Sequence, residues 1–162
     1  MEQYKVGIGF DMHQLAEGRP LIIGGVTIPH EKGLDGHSDA DVLVHAICDA
    51  LLGAAGKGDI GQHFPDTDDQ YKGISSLVLL KQVNEIIQDE GYQIVNLDVV
   101  IHAEAPKITP YKEKMCFNIA FELALDEGAI NIKATTHEGL GPIGLKQGIA
   151  AQVIAGIVKR DH

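Results

Sequence analysis

From Tyr4 to Met12 the chain alternates. Val6, Ile8, Phe10 and Met12 fall on one side, and Gly7, Gly9 and Asp11 on the other. A period of two marks a strand, because successive side chains of a pleated chain point to opposite faces. The expectation is a buried strand, and it fixes where two polar side chains at its end must point. Asp11 and His13 stand two apart, so they leave the same face. A carboxylate and an imidazole presented together by a rigid element can hold one metal ion. A histidine simply hydrogen-bonded to its neighbour is the plainer possibility, and the pair alone does not separate the two.

The remaining segments alternate between strand and helix signals. "PLIIGGVTI" (20–28) reads as a second strand with a bend or bulge at Gly24-Gly25. "SDADVLVHAICDALLGAAG" is helical, with Ser38 expected as N-cap, Asp41 completing an imperfect capping box, and Gly56 or Gly58 as the stop. Residues 58–73 have neither period and read as a long loop. "ISSLVLLKQVNEIIQDEG" is an amphipathic helix closed by Gly91, "YQIVNLDVVIHAE" a strand, and "PYKEKMCFNIAFELAL" a helix. "AINIKATTHE" is a strand ending in hydroxyls. "GIAAQVIAGIVK" fits either element, and its β-branched content favours a strand. With no repeat and no linker, the expected fold class is α/β (α+β): a single domain with a mixed β-sheet covered by helices.

Composition narrows the function classes. The net charge of −10 disfavours a nucleic-acid partner, which needs clustered Lys and Arg. A phosphorylated small molecule would need a local cation here. Apolar runs are strand-sized, so no membrane span is expected, and "MEQYKVG" lacks the features of a targeting segment. Cys48 and Cys116, both in helical patterns, suit core thiols in a reduced, cytoplasmic setting.

A second histidine answers the first. His45 lies mid-helix among apolar residues, with Asp41 and Asp49 four residues either side on the same helical face. A metal-bound imidazole commonly donates its other nitrogen to such a carboxylate, although a solvated polar stripe reads equally well. One aspartate and two histidines would leave a fourth zinc position open for water or substrate. "HSD" at 37–39, taken as the helix start, offers His37 and Ser38 to an anion. Thr135 and Thr136 end a strand, where hydroxyls can meet phosphate oxygens or simply reflect β-propensity, and Glu138 could hold a hard cation.

"GFDMH", "IIGGVTIP", "KGLDGHSDADVLVHAICDALLGA", "GDIGQHFPDTD", "AEAPKI" and "KATTHEGLG" run in order along almost the whole chain. In them the sequence resembles the 2-C-methyl-D-erythritol 2,4-cyclodiphosphate synthase family of the non-mevalonate isoprenoid pathway. The resemblance implies one catalytic domain over residues 1–162. It implies a homotrimer with sheets facing the threefold axis and active sites between subunits. It implies a zinc ion on Asp11, His13 and His45, and a second cation, Mg²⁺ or Mn²⁺, on Glu138 with bound diphosphate. It places phosphate contacts at Asp11, His13, His37 and Ser38, with His37 and Thr136 as catalytic hydrogen-bond donors. Contacts to the methylerythritol part fall on Asp59, Ile60, Gly61, Phe64, Pro65, Asp66, Thr67 and Asp68. The cytidine-linked part of the substrate falls on Ala103, Glu104, Ala105, Pro106, Lys107, Ile108 and Thr109, and then on Thr135, Thr136, His137 and Glu138. The implied reaction is ring closure of 4-diphosphocytidyl-2-C-methyl-D-erythritol 2-phosphate with release of CMP. A non-catalytic metal-binding trimer of the same fold is the alternative.

Two positions depart from that family. After "EGLG" the usual aromatic residue is Pro142, and the arginine three further on is Leu145, followed by Lys146. Leucine lacks the bidentate donors of arginine. Read as a strand, this segment would turn Lys146 to the opposite face from Leu145. In some relatives this region near the threefold axis accepts an isoprenoid diphosphate; here that binding is an open question, with Lys146 as the candidate substitute point charge.

Overall fold

The computed structural model describes residues 2–159. Strand β1 (Gln3–Ala16) is followed by β2 (Leu21–Ile23), β3 (Val26–Ile28) and β4 (Gly33–Leu34). Next come helices α1 (Val42–Ala55), α2 (Ile60–His63) and α3 (Ser76–Asp89), and strand β5 (Tyr92–His102). Helix α4 (Lys112–Leu123), strand β6 (Ile130–Thr135), the short helix α5 (Gly141–Gly144) and strand β7 (Gly148–Lys159) complete the described chain. The main sheet has the order β4-β1-β7-β5-β6 and is mixed: β5 and β6 pair in parallel, the other neighbours antiparallel. The expected α+β domain is what forms, and the ambiguous tail is a strand.

Helix α1 lies across β1 and β7, with α3 packed against it and α4 beyond. Its residues Val42, Leu43, Ile47, Leu51 and Leu52 are fully buried. Each such side chain contributes about 1.5–3 kcal/mol on leaving water. The glycines of β1 make this contact possible. A Cβ on Gly7 would lie 2.0 Å from the Ala50 carbonyl oxygen, and one on Gly9 would lie 1.9 Å from that of Ala46. Helix backbone thus sits directly on strand backbone, and α1 advances until His45 reaches the strand end.

The other face of β1 corrects an expectation. Val6, Ile8, Phe10 and Met12 are 51–76 % exposed, joined by Ile154 of β7. The apolar half of the alternation therefore points away from the core, while the glycine half carries the packing.

Gly24 and Gly25 are not a bulge within one strand. Both have positive φ, and they form the two-residue turn of the β2–β3 hairpin. Helix α1 starts later than the cap signal suggested. Asp41, not Ser38, is its N-cap, and the Asp41 carboxylate accepts from Val44 N. Gly56, in the left-handed region, ends it. Within 58–73, helix α2 and a single 3₁₀ turn at Asp69–Tyr71 interrupt the loop. Cys48 is fully buried and Cys116 half-buried; both are free thiols.

Candidate metal centre

Asp11, His13 and His45 converge. His13 Nε2 is 2.8 Å from Asp11 Oδ2, His45 Nδ1 is 3.2 Å from the same oxygen, and the two ring nitrogens are 3.3 Å apart. Three ligands at the corners of a tetrahedron with bonds of about 2.0 Å would be spaced by roughly 3.3 Å, so the donor set fits one ion. His13 is already committed to the right tautomer. Its Nδ1–H donates to the Asp35 carbonyl at 2.8 Å, which leaves Nε2 bare toward Asp11 and His45. Among the described residues, these three form the one cluster of three or more such side chains able to share an ion.

The electrostatics favour positive charge at this point. Burial alone would raise the Asp11 carboxyl, but the adjoining imidazoles of His13 and His45 outweigh it and hold it well below the usual range. Burial would likewise lower His13, yet the Asp11 carboxylate beside it favours its charged form and raises it.

The carboxylates expected to orient His45 do other work. Asp41 is fully buried and accepts from the N–H groups of Gly24, Gly25 and Val44. It fastens the hairpin to the start of α1. Burial and the neighbouring Asp39 charge push its carboxyl up to about 6, against the pull of those three N–H donors. Asp49 accepts from Ile60 N at 2.8 Å, which anchors α2. The nitrogen of His45 that faces away from Asp11 meets two hydroxyls instead, Ser76 Oγ at 2.8 Å and Ser38 Oγ at 3.0 Å. Ser76 had no signal in the sequence, because it lies 31 residues from His45 on a different helix.

A cavity of about 450 Å³ opens on the triad, lined also by His37, Ser38, Asp49, Ile60, Gly61, Phe64, Pro65, Asp66 and Thr67. Tyr71 and Leu79, not singled out from the sequence, complete the wall. Of the other expected loop residues, Asp59 caps α2 through Gln62 N, and the Asp68 carbonyl accepts from His37 Nε2 at 3.0 Å. His37 and Ser38 do not stand at the helix start, which begins four residues after Ser38. They sit in a turn zipped to the start of α3 by Gly73 N–His37 O and Asp39 N–Ile74 O bonds.

A separate cavity of about 600 Å³ gathers Ala103, Glu104, Pro106, Lys107, Ile108 and Thr109 with Pro110, Ala134, Thr135 and Thr136. It shares no lining residue with the first. Strand order sets them apart: β1 carries Asp11 and His13, while β5 and β6 lie two and three strands away. Met12, Ala150, His102 and Thr135 form one row across the sheet, while Asp11 pairs with Ala151 in the next row. Adjacent rows point to opposite faces, so Thr135 leaves the sheet on the side away from the triad.

The following turn is held by Glu104, whose two carboxylate oxygens accept from His137 N at 3.1 Å and Gly139 N at 3.2 Å. His137 Nε2 also lies 2.8 Å from His102 Nδ1. Glu138 is exposed, with a positive φ of 53°. Ala105 belongs to the segment that walls this cavity, between Glu104 and Pro106. A third cavity, about 660 Å³, is lined by Pro142, Leu145 and Lys146 with Met12, Gln14 and Lys32. The segment is helix α5 followed by a left-handed Lys146, not a strand, so Leu145 and Lys146 face one cavity together.

The family description "YgbB family" matches residues 4–158. The curated 2-C-methyl-D-erythritol 2,4-cyclodiphosphate synthase of Bordetella bronchiseptica is 62 % identical over 151 residues, 93 % of each chain. Among solved structures, the bifunctional IspDF of Campylobacter jejuni superposes with a TM-score of 0.95 at 45 % identity. That match covers 99 % of this chain but only 44 % of the longer protein. IspF of Plasmodium falciparum in its CDP complex gives 0.86 at 33 % identity, covering 98 % of this chain and 97 % of the other. With a family match over nearly its whole length and such identities behind it, the chain belongs to the YgbB family.

Proposed function

We propose that this chain is a single catalytic domain that closes 4-diphosphocytidyl-2-C-methyl-D-erythritol 2-phosphate into 2-C-methyl-D-erythritol 2,4-cyclodiphosphate, releasing CMP. The 2-phosphate oxygen bonds to the β-phosphorus, and the bond from that phosphorus to the bridging oxygen breaks with its electron pair leaving on CMP. The convergence of Asp11, His13 and His45 on one cavity with His37 and Ser38 carries this reading. The synthase name of the Bordetella relative and the CDP complex of the Plasmodium one agree with it.

A zinc ion on the triad would supply Lewis-acid neutralisation of phosphate oxygens as two anionic groups approach. Thr136 donates a hydrogen bond as charge builds on the transferring phosphoryl group, and His37 does so by exchanging the Asp68 carbonyl for a phosphate oxygen as the partner of its Nε2–H. Residues 59–68 fold over the methylerythritol part, so that a flexible substrate is held in its ring-closing pose. The cavity of residues 103–109 with Thr135 and Thr136 takes the cytidine-linked end. Glu138 is the proposed ligand for Mg²⁺ or Mn²⁺ held jointly with the diphosphate.

The two halves stand in separate cavities within one chain, and β1 presents an exposed apolar face. Both features support a homotrimer whose sheets face the axis and whose sites form between subunits; a cytoplasmic setting is part of the same proposal. The test is incubation of the zinc-loaded protein with the authentic substrate, read by CMP release and phosphorus NMR. Equimolar CMP and a product without a terminal phosphate are expected. A folded, metal-loaded trimer that releases no CMP would leave the non-catalytic alternative. A linear product would mean hydrolysis instead.

A further inference from the structure

We infer that Ser76 and Asp39 are positioning residues for His45, selecting Nδ1 as the nitrogen it turns to the metal. The inference rests on the proposed metal triad but not on the reaction. His45 Nδ1 faces Asp11 and His13, while Nε2 lies 2.8 Å from Ser76 Oγ. A neutral imidazole carries one hydrogen, and the hydroxyl decides where it goes.

Ser76 Oγ makes a very close contact with Asp39 Oδ1. The Asp39 carboxylate also accepts from Ser76 N at 3.0 Å and Asp41 N at 3.1 Å. In that close contact the Ser76 hydroxyl is the donor and the carboxylate oxygen the acceptor. With its hydrogen directed at Asp39, Ser76 Oγ can only accept from His45. Nε2 carries the proton, and Nδ1 is left bare beside Asp11 and His13. Ser76 is fully buried, so water does not compete for the hydroxyl.

The relay also frees a group at the cavity. Ser38 Oγ is 3.0 Å from the same Nε2 and accepts from Ala40 N at 3.3 Å. Because Ser76 fixes the Nε2 proton, the Ser38 hydroxyl keeps its own hydrogen for a ligand oxygen in the cavity it lines. Ser76 is the first residue of α3 and follows the 58–73 segment. The far end of that segment is thus tied to a metal ligand. An imidazole ligand whose second nitrogen is fixed by a hydrogen bond is a general device for tuning metal affinity.

The test reads zinc affinity by competition with a chelator, together with the ¹⁵N tautomer signature of His45 in the metal-free protein. Ser76→Ala should weaken zinc by roughly ten- to a hundredfold and shift the His45 signal toward mixed tautomers. Asp39→Asn, which keeps the size of the side chain, should move both readouts in the same direction. Ser38→Ala should change zinc affinity by less than about threefold, because Ser76 still holds Nε2. Unchanged affinity and tautomer in a folded Ser76→Ala protein would overturn the inference. So would a large loss in Ser38→Ala alone. If Ser76→Ala does not fold, Asp39→Asn decides by the same criteria. Both readouts are taken without substrate. A chain that behaves this way yet makes no cyclic product would refute the proposed reaction and leave the relay standing.

Discussion

The two cavities that the proposed reaction would join are built in opposite ways. Around Asp11, His13 and His45 both imidazoles are fixed inside one chain: His13 by the Asp35 carbonyl, and His45 by Ser76 and Ser38. Around Thr135 and Thr136 the side chains stand exposed, on a turn held mainly by Glu104 and His102. The metal half is organised by folding a single chain. The other half presents an open surface and a clasped turn, which suits the proposed completion of that site by substrate and a second subunit.

Substitutions can break that contrast in order of severity. Gly9→Val should be the most damaging, because the new side chain meets the α1 backbone. Overpacking of this kind costs about 1–3 kcal/mol or more, so a melting point lower by roughly 5–10 °C and loss of zinc binding are expected. Thermal unfolding with metal analysis reads both. Wild-type zinc affinity would show that backbone contact is not what places His45.

His45→Ala should abolish zinc binding and reduce CMP release by about a thousandfold or more. CMP affinity should stay within about threefold if the halves are independent, as calorimetry would show. An unfolded His45→Ala protein would make the residue a core histidine rather than a ligand.

Thr136→Val should slow turnover by roughly a hundred- to a thousandfold, the cost of one transition-state donor, with zinc affinity unchanged. A zinc loss here would couple the two halves. Glu104→Gln should weaken CMP binding by about tenfold, because charge-assisted bonds to His137 N and Gly139 N are lost or softened. Equal binding before and after would remove the turn from the nucleotide site. Asp49→Ala should do least. It frees Ile60 N and loosens α2, raising KM about threefold while leaving zinc alone. A tenfold fall in zinc affinity would restore Asp49 to the metal.

The elements that could be read in advance share one property: their cause is local. Period two placed β1 and aimed Asp11 with His13, and helical spacing placed His45. The errors have a common source too. Asp41 sits four residues from His45 on the same helical face, yet the β2–β3 turn claims its carboxylate. The apolar face of β1 read as core, but nothing in the alternation says which face a helix will cover. The Gly24-Gly25 pair looked like a bulge because the strands on either side are only three residues each.

The sequence by itself determined which side chains could be ligands and the faces of the strand and helix that carry them, since backbone geometry dictates periodicity. Only the tertiary structure decided that Gly7 and Gly9 admit α1 closely enough for His45 to meet the strand. It alone showed that Ser76, from another helix, holds the ring. Those outcomes depend on distances between segments remote in the chain, which are set by packing of the whole core and leave no trace in local spacing.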